Sequence, residues 1–364
     1  MATSVRRPSD ENLRIVQVWL VTRLLFAIMA VAIALGGGRR LESVIGGWDV
    51  GHFLRIAAEG YADPQEMAFF PGWPLILRGF SALGLQPALA GAGIALVCSL
   101  LAAFALKRIA GLWGAIAWLL APTAVFTAVA YTEAPFCAAA FWAWERATER
   151  RWGQAALLAA LACTLRVSGL FLIGALVILA LTQAGRRGDG PVGSRLAWLM
   201  LPAAVLIAYI TYLYGLTGSW TAWFSAQEAG WNRAFHWPWE AVAHQWSALW
   251  RPTPEHPEWV WIFRAEMISW IIGVLVTVIA LARKRVAEAS WVGVQVLAFS
   301  LSYWLMSVNR AVLLWFPLWR LIGEFVESRP RTRAWIILGW TVAVLAVALQ
   351  CLWAWLFFTG RWSS

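Results

Sequence analysis

The sequence predicts an all-α polytopic membrane protein, with a single integral membrane domain over residues 1–364. Of its residues, 61% are hydrophobic and 13% are charged, which is about half the charged share of an ordinary soluble domain. Several apolar runs reach the roughly 20 residues that a helix needs to cross a bilayer. The net charge of +10 comes from short basic clusters between these runs, as in cytoplasmic loops. We therefore expect the membrane as partner, and no nucleic acid.

The apolar runs and basic clusters together predict about eleven transmembrane helices. The run 154–183 is too long for one span and is interrupted near Arg166, so we expect two short helices that meet there. The N-terminus is placed in the cytoplasm because it carries Arg6, Arg7 and Arg14; a signal peptide is the alternative. The predicted runs are 13–35, 87–106, 110–130, 133–145, 154–183, 196–215, 260–282, 290–307, 311–326 and 334–358.

Two longer stretches are predicted to lie outside the membrane. The first external loop covers residues 36–86, and Pro71 and Pro74 make its apolar part, 69–85, an interfacial or re-entrant piece rather than a straight span. The second external loop covers residues 216–259 and is rich in tryptophan. Tryptophan is typical of the membrane interface, so part of this content indicates an aromatic belt.

A carboxylate follows the first span almost directly, at Asp49. If residues 49–59 are helical, then Asp49, His52, Ile56 and Glu59 share one face, because spacings of three and four do so. Gly60 would end this helix well. The pattern is also compatible with an ordinary amphipathic helix at the interface, whose charges are solvated.

Eight arginines fall on the predicted outer side, where the positive-inside rule does not account for them. Charges in such positions are candidates for function. These residues are Arg39, Arg40, Arg55, Arg78, Arg166, Arg233, Arg251 and Arg310.

The first external loop contains WD, HF, IA, GY and AFFPGWP in this order. This series resembles the first luminal loop of PIG-V-type mannosyltransferases, which belong to the GT-C class of polytopic membrane glycosyltransferases. Further segments fit the same family in order: AYTEAPF at 130–136, LRVSGLF at 165–171, the tryptophan-rich loop, and NRAVLLWFPLW at 309–319. The resemblance thus spans most of the chain and implies a GT-C-like fold.

The resemblance implies an inverting transfer of a hexose, mannose in this family, from a polyprenyl-phosphate carrier to a lipid or glycolipid acceptor on the outer face. It assigns the general base to Asp49, which would take the proton of the acceptor hydroxyl. Arg166 and Arg310 match basic positions of the family segments and are expected to bind the donor phosphate. The alternative interpretation of each is an arginine that snorkels at a helix end and binds no substrate.

The remaining predicted substrate-binding residues are Trp48, His52, Glu66, Tyr131 and Glu133. Glu66 is expected to orient an acceptor hydroxyl or to support His52, and its alternative is a solvated loop acid. Tyr131 and Glu133 are expected to line a cavity at the outer end of a span, or else to be an interfacial tyrosine and an exposed acid. Some tryptophans of the second external loop could stack on sugar faces.

No metal or other cofactor is expected. Asp49 has no adjacent acidic partner, and His236, His244 and His256 are too widely spaced for a zinc motif. The near-exclusive use of arginine over lysine favours a bacterial plasma membrane as the location.

A transporter or flippase of a lipid-linked sugar is the competing function. It should show paired broken helices in related halves and charges near the middle of the membrane. The sequence has one such break, near Arg166, and its unusual charges cluster at the outer ends of spans, so the enzyme is favoured. A structural membrane subunit would leave the order of the motifs unexplained.

Overall fold

The computed structural model describes residues 8–183, 191–251, 255–330 and 332–363. These residues form sixteen α-helices and three short 3-10 helices, which confirms the predicted all-α fold. The cytoplasmic N-terminus stays a prediction: Arg6 and Arg7 lie outside the described residues, and Arg14 lies in the first helix, Pro8–Gly36.

Five helices are long and apolar enough to cross a membrane, with mean hydropathies of 2.0 to 2.4 over their most apolar windows. The chain is therefore an integral membrane protein. The predicted total of about eleven spans is not confirmed, because the other described helices have at most 16 residues. The five long helices are α1 (Pro8–Gly36), α5 (Pro87–Leu119), α9 (Val192–Thr217), α12 (Trp259–Ala282) and α16 (Arg333–Phe358).

The shorter helices lie between the long ones. They are α2 (Leu41–Ile45), α3 (Asp49–Glu59), α4 (Gly72–Ala82), α6 (Glu133–Thr148), α7 (Trp152–Cys163), α8 (Ser168–Thr182), α10 (Ala222–Trp231), α11 (Pro238–Ala248), α13 (Val286–Ser300), α14 (Val308–Ala311) and α15 (Phe316–Glu327). The 3-10 helices are Pro64–Ala68, Ala124–Thr127 and Val312–Leu314. α7 and α8 are separated by residues 164–167, which confirms two short helices meeting at Arg166.

Two predicted spans are divided differently in the structure. The prediction of a separate span over 110–130 is wrong. The helix α5 continues through a break at Gly111 (φ +74°) and ends at Leu119, before Pro122. Proline disfavours a helical residue in front of it, and the chain then forms the 3-10 helix Ala124–Thr127. The run 311–326 likewise becomes a 3-10 turn followed by α15, which has Pro317 in its first turn.

The helix α6 lies at the centre of the fold and is buried along most of its length. It packs against α5 on one side and α7 on another. Ala138, Ala139, Ala140 and Ala143 are all buried, and such small side chains let neighbouring helices approach closely. Because α6 begins at Glu133, the most buried helix presents a carboxylate at its N-terminal end.

The first external loop folds around α3, whose bounds are those predicted for a helix over 49–59. Val50, Phe53, Ile56 and Ala57 are buried, so α3 turns one apolar stripe inward. Gly60 ends the helix with φ +76° and donates its N–H to the Ile56 carbonyl at 2.9 Å. The following helix, α4, has 11 residues and is too short to cross the hydrocarbon core, as its prolines predict.

Candidate active site

A strained turn positions Asp49. Trp48 has φ +59° and ψ −129°, and the Val50 N–H donates to the Gly47 carbonyl at 3.3 Å. These values define a type II′ turn with tryptophan in the position that glycine favours. The turn places Asp49 in the first turn of α3, where the helix dipole favours a negative charge. The Asp49 N–H donates to the Tyr131 hydroxyl at 3.1 Å, which ties α3 to the segment before α6.

Four charged side chains from distant parts of the chain meet beside this turn. Arg310 Nη1 donates to Asp49 Oδ2 at 2.6 Å, and Arg310 Nε lies 3.7 Å from Glu133 Oε1. Arg166 Nη1 lies 2.7 Å from the same Glu133 oxygen. The side chain of Glu133 is fully buried, whereas those of Asp49 and Arg166 are 19% and 20% exposed. The carboxylate and guanidinium groups thus alternate, and the cluster is open to solvent at Asp49 and Arg166.

A buried glutamate holds the turn that carries Arg310. Glu266 of α12 accepts hydrogen bonds from the backbone N–H groups of Ser307 at 2.9 Å and Asn309 at 2.8 Å. The Arg310 guanidinium carbon lies 5.3 Å from the centre of the Tyr131 ring, within the range of a cation–π contact. The backbone on one side and the ring on the other therefore fix the position of Arg310.

The ion pair keeps Asp49 ionised. Burial alone would raise the pKa of Asp49, but the charge and hydrogen bond of Arg310, together with His52 and Arg166, lower it below its ordinary value. Burial would likewise lower the pKa of Arg310, but Asp49 and Glu133 outweigh burial and raise it. While this pair is closed, Asp49 is a weak base.

A second polar group runs along the exposed side of α3. Arg55 Nε donates to Glu66 Oε1 at 2.8 Å, and Arg55 Nη2 lies 2.9 Å from His52 Nδ1. Glu66 is 2% exposed, so it is not a solvated loop acid. It supports His52 through Arg55 and does not contact Asp49 directly. Burial lowers the pKa of His52 against the opposing charge of Asp49, so the imidazole is neutral at pH 7.

The structure thus brings five predicted site residues into one cluster: Asp49, Tyr131, Glu133, Arg166 and Arg310. His52 of α3 and Glu66 of the 3-10 helix Pro64–Ala68 form the adjoining group, and Trp48 precedes Asp49 with 43% of its surface exposed. The catalytic and substrate-binding roles of these residues stay predictions.

The sequence motifs missed three residues near the cluster. Glu266 was detectable as an acid inside the apolar run 260–282. Arg233 is one of the eight outer arginines, but no motif distinguishes it. The Trp231 ring centre lies 5.6 Å from that of His52 and 5.2 Å from that of Phe69, so the second external loop reaches the site.

A cavity of about 490 Å³ lies along the C-terminal half of α3. Its lining is mainly apolar and aromatic, with Ile56, Tyr61, Leu75, Tyr209 and Tyr212 among its residues. Such a lining suits an apolar ligand. The helix α3 therefore carries Asp49 at its start and contributes to the wall of the cavity near its end.

The match to a known family falls on the part of the chain that contains Asp49. The sequence profile of the family described as "Mannosyltransferase (PIG-V)" matches residues 29–185. Proteins named GPI alpha-1,6-mannosyltransferase 2 are similar to this chain over 159 residues, with 35% identity for Rattus norvegicus and 33% for Homo sapiens. The aligned part makes up 38% of this chain and 32% of each relative.

The chain therefore spans about a third of the length of the curated relatives it matches. A comparison with solved structures found no match. Seven of the predicted site residues lie inside the matched region, and Arg310 lies beyond it. The resemblance predicted from the motifs is confirmed over residues 29–185, which match the family of PIG-V mannosyltransferases.

Proposed function

We propose that this protein is a glycosyltransferase that moves mannose from a polyprenyl-phosphate carrier to a hydroxyl of a lipid or glycolipid acceptor. The matches to mannosyltransferases support the sugar and the reaction class. The apolar helices support lipid-borne substrates. The site would face the outer side of the membrane, and the arginine-rich composition supports a bacterial plasma membrane.

The observation that carries this proposal is the Asp49–Arg310 pair at the solvent-accessible end of the charged cluster. The acceptor oxygen attacks the anomeric carbon as Asp49 takes its proton, and the bond from the anomeric carbon to the phosphate oxygen breaks. The electron pair of that bond goes to the phosphate. One negative charge is thereby lost at Asp49 and one is gained at the phosphate, so the total is unchanged. Arg310 lies where it can serve both anions.

Arg310 also offers a way to couple donor binding to activation of the base. The donor phosphate and the Asp49 carboxylate are competing acceptors for one guanidinium. When the phosphate takes a share of Arg310, the interaction that lowers the pKa of Asp49 weakens. Asp49 is then a stronger base in the donor complex than in the free enzyme.

The proposed reaction uses no divalent metal, because the leaving phosphate is already an anion and arginines take its charge. Transfer should therefore persist in the presence of EDTA. Strong inhibition that Mg²⁺ or Mn²⁺ reverses would contradict this part of the proposal.

The decisive experiment is transfer of radiolabelled mannose from polyprenyl-phosphate mannose to total membrane lipid by the purified protein. Asp49→Asn should abolish the product, because the amide keeps the volume but cannot take a proton. Asp63→Asn is the matched control, since Asp63 is an exposed acid of the same loop and accepts a hydrogen bond from Gln65 N–H that asparagine can also accept.

Two results would contradict the assignment. Near-normal turnover by Asp49→Asn would remove the base from this position. Movement of the lipid-linked sugar across vesicles by the wild type, without labelled product, would favour the flippase instead.

A further inference from the structure

The charged cluster at Asp49 is electrically balanced before any substrate binds. Asp49 and Glu133 supply two negative charges, and Arg166 and Arg310 supply two positive ones. A phosphodiester brings one more negative charge, and the leaving phosphate monoester carries up to two. Because unpaired charges are costly away from water, such a site needs a cation that the cluster does not already use.

Arg233 is a cation of this kind. Arg233 lies two residues after Trp231, which is the last residue of α10 and whose ring packs against His52; Asn232, between them, has φ +52°. Arg233 Nη2 donates to the Met306 carbonyl at 3.3 Å, four residues before Arg310. Within the ranges that the structure describes, no carboxylate oxygen lies within 4 Å of its guanidinium nitrogens, in contrast to Arg166 and Arg310.

The surroundings of Arg233 favour an anion beside it. Burial, together with the charges of Arg310 and Arg166, lowers the pKa of Arg233 to about 10 against the opposing charges of Asp49 and Glu266. Asp49, Arg166 and Arg310 belong to the cluster, so Arg233 lies within its electrostatic reach. The group is still protonated at pH 7. An anion bound between Arg233 and Arg310 would relieve the repulsion between two neighbouring cations.

We propose that Arg233 binds the phosphate of the polyprenyl-phosphate donor and stabilises the second negative charge that the phosphate gains as the sugar leaves. This inference rests on the proposed function. Arg166 then holds Glu133 in place, Arg310 is shared between Asp49 and the phosphate, and Arg233 supplies a further positive charge that forms no ion pair within the described residues. Since Trp231 and Arg233 belong to one short segment, the second external loop would bring a ring and a cation to the donor together.

The test measures binding, so that it does not depend on mannosyl transfer. The affinities of the purified protein for polyprenyl phosphate and for the uncharged polyprenol of the same length are compared by titration in nanodiscs. Arg233→Gln should weaken the binding of polyprenyl phosphate about ten- to a hundredfold, the range for loss of a charged hydrogen bond. The affinity for polyprenol should stay unchanged. Arg251→Gln, a change at an exposed arginine of the same loop, should alter neither affinity.

The outcomes separate the two proposals. If the wild type binds polyprenyl phosphate and Arg233→Gln binds it equally well, the role of Arg233 is refuted while the proposed donor stands. If Arg233→Gln weakens the binding of both ligands alike, Arg233 is structural and the inference is also refuted. If the wild type binds polyprenyl phosphate no more tightly than polyprenol, the proposed donor is refuted, and the inference is refuted with it.

Arg233→Lys provides a second variant in case glutamine prevents folding. Lysine keeps the charge but cannot form paired hydrogen bonds with a phosphate. It should lose affinity for polyprenyl phosphate selectively, by a smaller factor than glutamine. Unchanged affinity for both ligands in this variant would refute a hydrogen-bonded phosphate at Arg233.

Discussion

Asp49 and Arg310 lie 261 positions apart in the chain, and the guanidinium of one donates to the carboxylate of the other at 2.6 Å. The pair joins the first external loop to the turn before α15. The pKa of Asp49 is lowered in the folded protein, so the pair contributes stability above the unfolded pKa of an aspartate. That contribution is lost as the pH falls through the lowered pKa.

The dependence of activity on pH should report this pair directly. Arg310→Gln removes the charge and the hydrogen bond that lower the pKa of Asp49, so the base protonates at a higher pH. The acidic limb of the kcat profile, measured at saturating donor, should therefore move to higher pH than in the wild type. Arg251→Gln should leave the limb in place. An unmoved limb in Arg310→Gln would mean that the limb does not reflect Asp49.

Arg166 should act mainly through Glu133. Arg166→Ala leaves a fully buried carboxylate with Arg310 Nε at 3.7 Å as its remaining close cation, and we expect a loss of about 3–5 kcal/mol of unfolding free energy. The double variant Glu133→Ala with Arg166→Ala should recover part of this loss. Unfolding titrations in mixed micelles measure the coupling. A stable Arg166→Ala that only binds donor more weakly would instead favour Arg166 as a phosphate ligand.

Glu266 should control the position of Arg310. Glu266→Gln loses the charge and one of two acceptors for the N–H groups of Ser307 and Asn309, with an expected cost of about 1–3 kcal/mol. Because the turn then shifts, kcat should fall and the KM for donor should rise. Glu258→Gln, at a partly exposed acid just before α12, is the matched control. Wild-type kinetics in Glu266→Gln would show that Arg310 does not need this support.

The turn at Trp48 should be strained by its side chain. Glycine accepts φ +59° without steric conflict, so Trp48→Gly should unfold with a free energy about 1 kcal/mol higher than that of Trp48→Ala. Both variants lack the indole, so any loss of substrate affinity that they share is attributable to that ring. Thermal unfolding and donor titration measure the two effects separately. Equal stability of the two variants would contradict strain at this position.

The sequence predicted the local features of the site. The spacing of Asp49, His52, Ile56 and Glu59 was compatible with a helix over 49–59, and Gly60 marked its end because glycine tolerates the final φ cheaply. The interrupted run 154–183 predicted the break at Arg166. These features depend on neighbouring residues, so a reading along the chain can detect them.

The number of spans was less well determined, because hydropathy measures the apolar content of a segment and not its partner. The segment after Leu119 is apolar but folds as a turn beside Pro122, and α6 is apolar because it is surrounded by other helices. An apolar run buried in protein and one facing lipid have similar composition.

The sequence by itself determined an all-helical integral membrane protein, a carboxylate at the start of α3, and the arginines whose positions the topology rule leaves unexplained. Only the tertiary structure decided how those charges pair: Arg310 with Asp49, Arg166 with Glu133, and Arg233 with no carboxylate within 4 Å in the described part of the chain. The physical reason is that ion pairing depends on distances of a few ångströms between groups that are 33 to 261 positions apart in the sequence.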